Sequence, residues 1–312
     1  MVDDVIIVGA GPGGLSAALQ SLRHGLVVRV FERARPGGLL WNANRVENYP
    51  GFPNGIPGPD LVRVFLAQAA AGGVDITHEE VLSLTWESGL FHATTPAAVY
   101  QARAVVIASG TRQRLLTGFQ VPEALRERIV YEVAGFQGLS GNRFLIIGSG
   151  DAAFDYALNL GKQNSVIILN RGEQVKCLPL LWDQAQACEN IDYHPDTVIR
   201  KLEVRPEGGM VVECSSPHGP LVLQADYLVG AIGRDPSLAF VSAELPGQSS
   251  ELENRGILHF VGDVKNGSFR QTAIAVGDGI RAGMCIAHAL KEFADESDRL
   301  DRKGRYRPRL HR

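Results

Sequence analysis

Residues 5–32 read VIIVGAGPGGLSAALQSLRHGLVVRVFE, and this stretch decides the fold. An apolar, β-branched run leads into the glycine-rich turn 9–14, then into residues of helical period and a second apolar run that ends at Glu32. This order is typical of a βαβ unit that binds a dinucleotide, in which the glycines let the backbone approach a pyrophosphate and the acid accepts a ribose hydroxyl. The alternative is a glycine-rich turn in another α/β protein. The residues predicted to bind the dinucleotide here are Gly9, Gly11, Pro12, Gly13, Gly14, Glu32 and Arg33.

Residues 144–169, FLIIGSGDAAFDYALNLGKQNSVIIL, repeat this order of strand, glycine-rich turn, helix and strand. The chain is therefore predicted to bind two dinucleotides or one very large one. Asn170 stands where an acid would repel a 2′-phosphate, and two cations follow it, which favours NADP, with NAD as the alternative. A solvated loop is the other interpretation of these cations. The predicted contacts of this second site are Gly148, Ser149, Gly150, Asp151, Ala152, Ala153, Arg171 and Lys176.

The composition excludes several classes of protein. The chain has 312 residues, of which 45% are hydrophobic, so it can bury the cores of two domains and is not disordered. The net charge of −3 creates no basic field for nucleic acid or a membrane surface, and no apolar run is expected to span a bilayer. The four cysteines include no CxxC pair and the N-terminus does not resemble a signal peptide, so we predict a cytoplasmic protein. The eight histidines show no metal-ligand spacing. We expect no metal and no catalytic side-chain acid, base or nucleophile.

Several separated motifs resemble the low-molecular-weight thioredoxin reductases, a family of two-domain pyridine nucleotide flavoproteins, over almost the whole chain. The motifs are GAGPGG (9–14), GGLL (37–40), VENYPGFPNGIPGPDL (46–61), VVIASGT (105–111), GSGDAA (148–153), LVGAIGRDP (228–236), FVGD (260–263) and FRQTAIAVGDG (269–279). The resemblance implies an α/β fold of two Rossmann-like, three-layer ββα domains. An NAD(P)H domain, 117–236, would be inserted into an FAD domain formed by 1–116 and 237–312. FAD, NADP and a homodimer are implied as well.

The same resemblance implies further cofactor contacts. Asp263 follows a short strand and can accept from ribityl hydroxyls, and the helix that opens at Thr272 can direct amides at the flavin ring. A purely structural role is the alternative for each. The further residues implied to contact a cofactor are Gly38, Leu39, Leu40, Asn48, Ser109, Gly110, Ile232, Gly233, Gly262, Asp263, Arg270, Gln271 and Thr272.

Residues 130–135, VYEVAG, depart from the family, whose thioredoxin reductases carry a redox CxxC at this place. Thiol–disulfide exchange needs a thiolate beside a partner sulfur, so we expect that the chain is not a thioredoxin-disulfide reductase. Residues 129–160, with Asp151 and Asp155, instead resemble the thioredoxin-reductase-like ferredoxin–NADP reductases without a gap. This resemblance favours ferredoxin or flavodoxin as the electron acceptor. The alternatives are a small molecule, quinone or dioxygen as acceptor, and a flavin- and nucleotide-binding protein without turnover.

Residues 299–312, RLDRKGRYRPRLHR, form a basic C-terminal segment with seven Lys or Arg against one Asp. Such a segment can attract an acidic electron-transfer protein, and Tyr306 offers an aromatic lid for the flavin. A solvated tail is the other interpretation.

Overall fold

The chain forms two compact units. The computed structural model describes the backbone of residues 2–304 and the side chains of residues 2–292. The first unit contains Met1–Gly38, Leu61–Thr111 and the chain from Pro236 onward, and the second contains Leu39–Asp60 and Arg112–Asp235. The domain joins predicted after residues 116 and 236 lie within five residues of these crossings. Residues 39–60 differ, because they group with the second unit and not with the first.

The elements include two βαβ units, one at the start of the chain and one in the second unit. In chain order the strands are β1 (Val2–Val8), β2 (Val28–Phe31), β3 (Ile76–Thr77), β4 (Ser83–Glu87), β5 (Leu90–Thr94), β6 (Val99–Ile107), β7 (Thr111–Gln113), β8 (Ile129–Val130), β9 (Arg143–Ile147), β10 (Ser165–Leu169), β11 (Ile191–His194), β12 (Val198–Val204), β13 (Met210–Ser216), β14 (Gly219–Ala225), β15 (Tyr227–Gly230), β16 (Arg234–Pro236) and β17 (Leu258–Phe260). The helices are α1 (Pro12–Arg23), α2 (Gly58–Ala71), α3 (Asp151–Leu160), α4 (Pro179–Gln186), α5 (Leu245–Asn254) and α6 (Thr272–Gly304).

The first unit is built on a sheet of order β3-β2-β1-β6-β5-β4, with β17 also paired to β6. The apolar run Val5–Val8 of β1 is buried because parallel strands flank it on both sides. In the register, Val8 lies beside Phe31 of β2 and Ile107 of β6. The residues that follow these three strands therefore meet at one edge of the sheet.

Helix α6 packs closely along α1. A Cβ atom added to Gly279 would lie 2.1 Å from the carbonyl oxygen of Gly13, so the two backbones touch where both residues lack a side chain. Within the described residues, Thr272–Glu292 is the one helical stretch long and apolar enough to cross a membrane. This finding differs from the expectation that no apolar run reaches that length. One face of this stretch packs against α1.

The second unit has three layers around a parallel sheet of order β11-β10-β9-β15-β8. Alternate residues of β9 point to opposite faces. Phe144 and Ile146 pack in a cluster with α3, and Leu145 packs in another cluster with the antiparallel sheet β12-β13-β14. The layers are therefore helices, parallel sheet and antiparallel sheet, which confirms the predicted α/β fold with three-layer ββα organisation.

Residues 39–60 join the second unit through side chains far away in the sequence. Asn42 is 2% exposed, and its Oδ1 accepts hydrogen bonds from the amides of Val133 (2.8 Å) and Ala134 (2.9 Å). The carboxylate of Asp155 accepts from the amide of Asn44 at 3.0 Å. These contacts explain why the segment does not group with residues 1–38, which precede it in the chain.

The basic segment 299–312, including Tyr306 and His311, lies outside the residues whose side chains are described. The predictions for it stay predictions.

Candidate dinucleotide-binding sites

The first glycine-rich turn forms a cradle that only glycine can build at two positions. Gly9 has φ +105°, and an added Cβ would lie 2.4 Å from the carbonyl oxygen of Ala108. A Cβ on Gly14 would lie 1.9 Å from the carbonyl oxygen of Gly9. Over Gly11, by contrast, an added Cβ would meet no atom within 4 Å. The turn is thus tight on its inner side and open at Gly11, where α1 begins.

Glu32 closes one side of this first cradle. Its Oε2 accepts a hydrogen bond from the amide of Ala10, and its Oε1 accepts from the amide of Ala34, both at 2.9 Å. A carboxylate offers about four lone-pair positions, so two acceptor positions stay available for hydroxyl donors. Glu32 can therefore hold the turn and accept from a ribose together.

Four of the predicted residues line one cavity of about 120 Å³ in the first unit: Gly9, Glu32, Arg33 and Ser109. Arg33 also pairs with Glu80 at 3.3 Å, and the hydroxyl of Ser109 donates to the carbonyl of Ser237 at 2.7 Å. Eight further lining residues were not predicted from the sequence: Glu79, Glu80, Val81, Val8, Phe31, Ser237, Ala239 and Phe240. A signal for the first three was present, because they follow the short strand β3, which pairs in parallel with β2.

The remaining predicted contacts of the first unit lie after its last strands. β17 pairs with β6 so that Phe260 lies beside Ile107, and the turn Gly262–Val264 therefore begins at the same edge as Gly9. Gly262 has φ +71°, and its amide donates to the carboxylate of Asp278 at 3.1 Å. This turn carries Asp263. Gly110, Arg270, Gln271 and Thr272 belong to the first unit as well.

Leu39, Leu40 and Asn48 do not line this cavity, because they belong to the second unit. Gly38 is the last residue of the first unit before the crossing, and an added Cβ on it would lie 3.6 Å from the Cα atom of Gly11. Gly38 therefore belongs to the same unit as the first cradle, and the contacts predicted for Leu39, Leu40 and Asn48 stay predictions.

The second glycine-rich turn repeats the first cradle. A Cβ on Gly148 would lie 2.5 Å from the carbonyl oxygen of Ala231, and over Gly150 an added Cβ would meet no atom within 4 Å. The cradle opens into a cavity of about 730 Å³. The residues that line it include the predicted Gly148, Ser149, Gly150, Asp151, Ala152, Arg171, Lys176, Ile232 and Gly233, together with Gln113, Tyr131, Tyr156 and Arg234, which the sequence analysis did not name. Ala153 is buried behind the turn.

A loop that follows β10 carries the two cations of the second cavity. Asn170, which is 5% exposed, donates to the carbonyl of Gln174 (3.0 Å) and to the hydroxyl of Tyr193 (2.9 Å), and it accepts from the amide of Gly172 (3.2 Å). The side chain of Asn170, which stands in the place of the ribose-binding acid, therefore makes its hydrogen bonds with its own loop and with Tyr193 of β11. It shapes the segment from which Arg171 and Lys176 project.

Burial raises the pKa of several groups in the second unit. Burial raises the pKa of Asp155 to about 6, although the amides of Asn44 and Arg45 and the ammonium of Lys162 oppose the rise. Burial raises the pKa of Tyr156 to about 12 and that of the Cys214 thiol to about 11. The pKa of Cys177 is raised by burial and by the Asp151 carboxylate. Among the described residues, no group of three or more His, Cys, Asp or Glu side chains could hold a metal ion.

Comparisons with known proteins agree with this geometry. A family model described as "Pyridine nucleotide-disulphide oxidoreductase" matches residues 3–279. The thioredoxin reductase of Streptomyces clavuligerus is 30% identical, covering 94% of this chain and 96% of its own. The "NADPH-dependent thioredoxin reductase 3" of Arabidopsis thaliana is 29% identical over 92% of this chain and 57% of its own. The crystal structure of Lactococcus lactis thioredoxin reductase, at 24% identity, shares the fold with a TM-score of 0.81 over 93% of this chain and 99% of its own.

These relatives correct the predicted function. The prediction that the chain is not a thioredoxin-disulfide reductase and that it reduces ferredoxin or flavodoxin is wrong by this comparison, because relatives at 30% identity are named thioredoxin reductase. The prediction was based on one local departure, residues 130–135, whereas the relatives match over almost the whole chain. The resemblance of residues 129–160 to ferredoxin–NADP reductases stays a prediction.

Proposed function

The chain belongs to the pyridine nucleotide-disulphide oxidoreductase family, and on that premise we propose that it is an FAD-dependent NADPH oxidoreductase of the thioredoxin reductase type. The observation that carries the proposal is the repeated cradle. Each unit places an open glycine, Gly11 or Gly150, at the start of a helix that follows a parallel strand. Helix N-termini of this kind bind the phosphates of dinucleotides.

The first unit fits FAD. Its cradle is open at Gly11, where a pyrophosphate approaches the backbone in such folds, and Glu32 retains acceptor positions for ribose hydroxyls. Asp263 follows the neighbouring strand β17, at the same sheet edge, where a carboxylate can accept from the ribityl chain. These residues would hold the two ends of the cofactor.

The second unit fits NADPH. Its cavity of about 730 Å³ is large enough for a dinucleotide, and the side chain at the end of β10 is the neutral Asn170. Arg171 and Lys176 line the same cavity and can pair with a 2′-phosphate. The absence of an acid at position 170 and the presence of two cations favour NADPH over NADH.

The protein residues bind and orient in this proposal. When bound, FAD supplies the redox chemistry by accepting a hydride from NADPH and passing the electrons on. Hydride transfer requires no protonated side chain, so the named residues would serve binding. Glu32 and Asp263 would hold hydroxyls, the starts of α1 and α3 would hold phosphates, and Arg171 and Lys176 would hold the 2′-phosphate.

Thioredoxin is the first acceptor to test, because it gives the relatives their name. The chain's own sulfurs are the thiols of Cys177, Cys188, Cys214 and Cys285. We also propose a homodimer and a cytoplasmic location, as the family resemblance implies.

The proposal is tested on the purified full chain. We expect a yellow protein whose flavin is bleached by NADPH in the absence of oxygen. A colourless protein that takes up no FAD on incubation would contradict the FAD assignment, and a bound flavin that NADPH does not reduce would contradict the oxidoreductase assignment. Oxidation of NADPH that depends on added thioredoxin would extend the proposal to the reaction of the relatives.

A further inference from the structure

The loop from Asn170 to Leu178, the cation loop, is fixed at three places. Asn170 fixes its start through Gln174 and Tyr193. The amide of Lys176 donates to the carbonyl of Ser149 at 2.8 Å. The amide of Leu178 donates to Oδ1 of Asp151 at 2.8 Å. The last two contacts tie the cation loop to the glycine-rich turn, so the position of Lys176 is coupled to the place where the phosphates would bind.

Asp151 places a negative charge where the phosphates of the nucleotide would bind. It is the first residue of α3 and lines the cavity that we assign to NADPH. A carboxylate at the start of a helix interacts favourably with the helix dipole, but the same place is proposed to receive an anionic pyrophosphate, which a carboxylate repels. Because the Asp151 carboxylate repels the pyrophosphate, we expect it to support nucleotide binding in another way.

The contact with Leu178 supplies that role. We propose that Asp151 is a positioning residue for nucleotide choice: its carboxylate holds the end of the cation loop so that Lys176 and Arg171 face the 2′-phosphate of NADPH. The repulsion from Asp151 acts on the pyrophosphate, which NADPH and NADH share. The positioning of the cation loop acts on the 2′-phosphate alone. The ratio of the KM values for the two nucleotides therefore isolates the positioning role.

The inference depends on the proposed NADPH oxidoreductase function, and the experiment separates the two. Asp151→Ala removes the acceptor, whereas Asp151→Asn removes the charge and keeps an oxygen acceptor. Asp183→Ala is the matched control, because Asp183 is an exposed carboxylate of α4. Steady-state KM and kcat are measured with NADPH and NADH for the flavin-loaded full chain, with FAD content as a check of folding.

We expect Asp151→Ala to raise the KM for NADPH relative to that for NADH roughly tenfold, which corresponds to about 1.4 kcal/mol. Asp151→Asn should restore most of the ratio, and Asp183→Ala should leave it unchanged. Binding of 2′,5′-ADP, compared with that of 5′-AMP, provides a readout independent of turnover and should weaken in Asp151→Ala alone.

Two outcomes overturn the inference. An unchanged NADPH-to-NADH ratio in Asp151→Ala shows that the cation loop keeps its position without the carboxylate. An equal shift in Asp151→Ala and Asp151→Asn shows that charge, and not the accepted hydrogen bond, is responsible. If neither nucleotide reduces the flavin of the unmodified chain, the proposed function fails first, while 2′,5′-ADP binding still tests Asp151.

Discussion

The two glycine-rich cradles share one backbone contact and differ at two residue positions. In both, the first glycine abuts the carbonyl oxygen of a residue that follows the adjacent strand, Ala108 for Gly9 and Ala231 for Gly148. The first cradle ends with Gly14, where a methyl group would strike backbone, and the second ends with Ala153, where a methyl group is accommodated. The shared contact sets the turn, and the other two positions are free to differ.

The second difference lies at the end of the neighbouring strand. Glu32 accepts hydrogen bonds from backbone amides of the first cradle, and Asn170 uses its side chain within its own loop. The first cradle thus presents a carboxylate to hydroxyls, and the second presents cations on a shaped loop. The same backbone can therefore be adapted to a different dinucleotide by changing the residue that ends one strand.

The largest expected effect concerns the third glycine. Gly14→Ala places a methyl group 1.9 Å from the carbonyl oxygen of Gly9, so the backbone must shift, and overpacking of this kind costs about 3 kcal/mol or more. Ala153→Gly, the reciprocal change, should cost only about 0.5–1 kcal/mol of helix stability. Urea unfolding and FAD content measure both variants. Equal stability of the two variants would contradict the difference between the cradles.

Glu32→Ala should produce the next largest effect. The change leaves the amides of Ala10 and Ala34 without their acceptor and removes the proposed ribose contact. The lost ribose contact is charge-assisted and worth about 1.5–3 kcal/mol, and the buried amide of Ala10 in the turn loses its acceptor as well, so the affinity for FAD should fall roughly 100-fold. Titration of the apoprotein with FAD measures this loss, with Asn170→Ala as the comparison in the other cradle. An FAD affinity that falls equally in both variants would show that Glu32 and Asn170 do not differ in their effect on FAD binding.

Arg171→Ala should weaken NADPH binding roughly 10- to 100-fold and leave NADH binding almost unchanged, because a charge-assisted contact is worth about 1.5–3 kcal/mol. The KM values of both nucleotides measure the effect, and Arg33→Ala in the first unit serves as the control. If both nucleotides lose affinity alike, Arg171 only shapes the loop.

The smallest effect is a pH dependence specific to the second unit. The fifth residue after Gly150 is the partly buried Asp155, whereas the fifth after Gly11 is Ser16. The folded pKa of Asp155, about 6, lies above its ordinary value of 3.8, so between these pH values the folded state binds more protons than the unfolded state. Its contribution to stability is present at low pH and is lost as the pH rises through about 6.

The slope from this group is at most about 1.4 kcal/mol per pH unit. Asp155→Asn should flatten the stability profile between pH 4 and 6 by that amount while keeping an acceptor for Asn44. Unfolding free energies measured across this range test the effect. A profile that is unchanged in Asp155→Asn would show that the group titrates normally.

The sequence predicted those parts of the molecule that depend on local order. The two cradles, the strands beside them and the three-layer fold follow from runs such as 5–32, in which glycine spacing and hydrophobic period agree. Glu79 and Glu80 escaped notice because β3 has only two residues and gives almost no periodic signal. Asn170 was predicted to favour NADP because its side chain carries no charge. Its hydrogen bonds to Gln174 and Tyr193 depend on the geometry of the loop and were not predicted.

Residues 39–60 group differently from the predicted domain bounds for another reason. The contacts of Asn42 with Val133 and Ala134 span 91 and 92 residues, and no local pattern in the sequence encodes such a distance. The electron acceptor was also predicted wrongly, because the local sequences of residues 130–135 and 129–160 were given more weight than the similarity to thioredoxin reductases over the rest of the chain.

The buried Asn42 has a consequence for building chimaeric proteins. A fragment limited to residues 112–235 would lack the side chain that accepts from the amides of Val133 and Ala134, and it would leave those donors without a partner. An exchange of nucleotide specificity between relatives must therefore transplant two separate pieces of gene, one for residues 39–60 and one for 112–235. If only the piece for residues 112–235 were transplanted, it would have to pack against the recipient protein's own segment 39–60. The yield of folded protein would then measure how well these two pieces fit together.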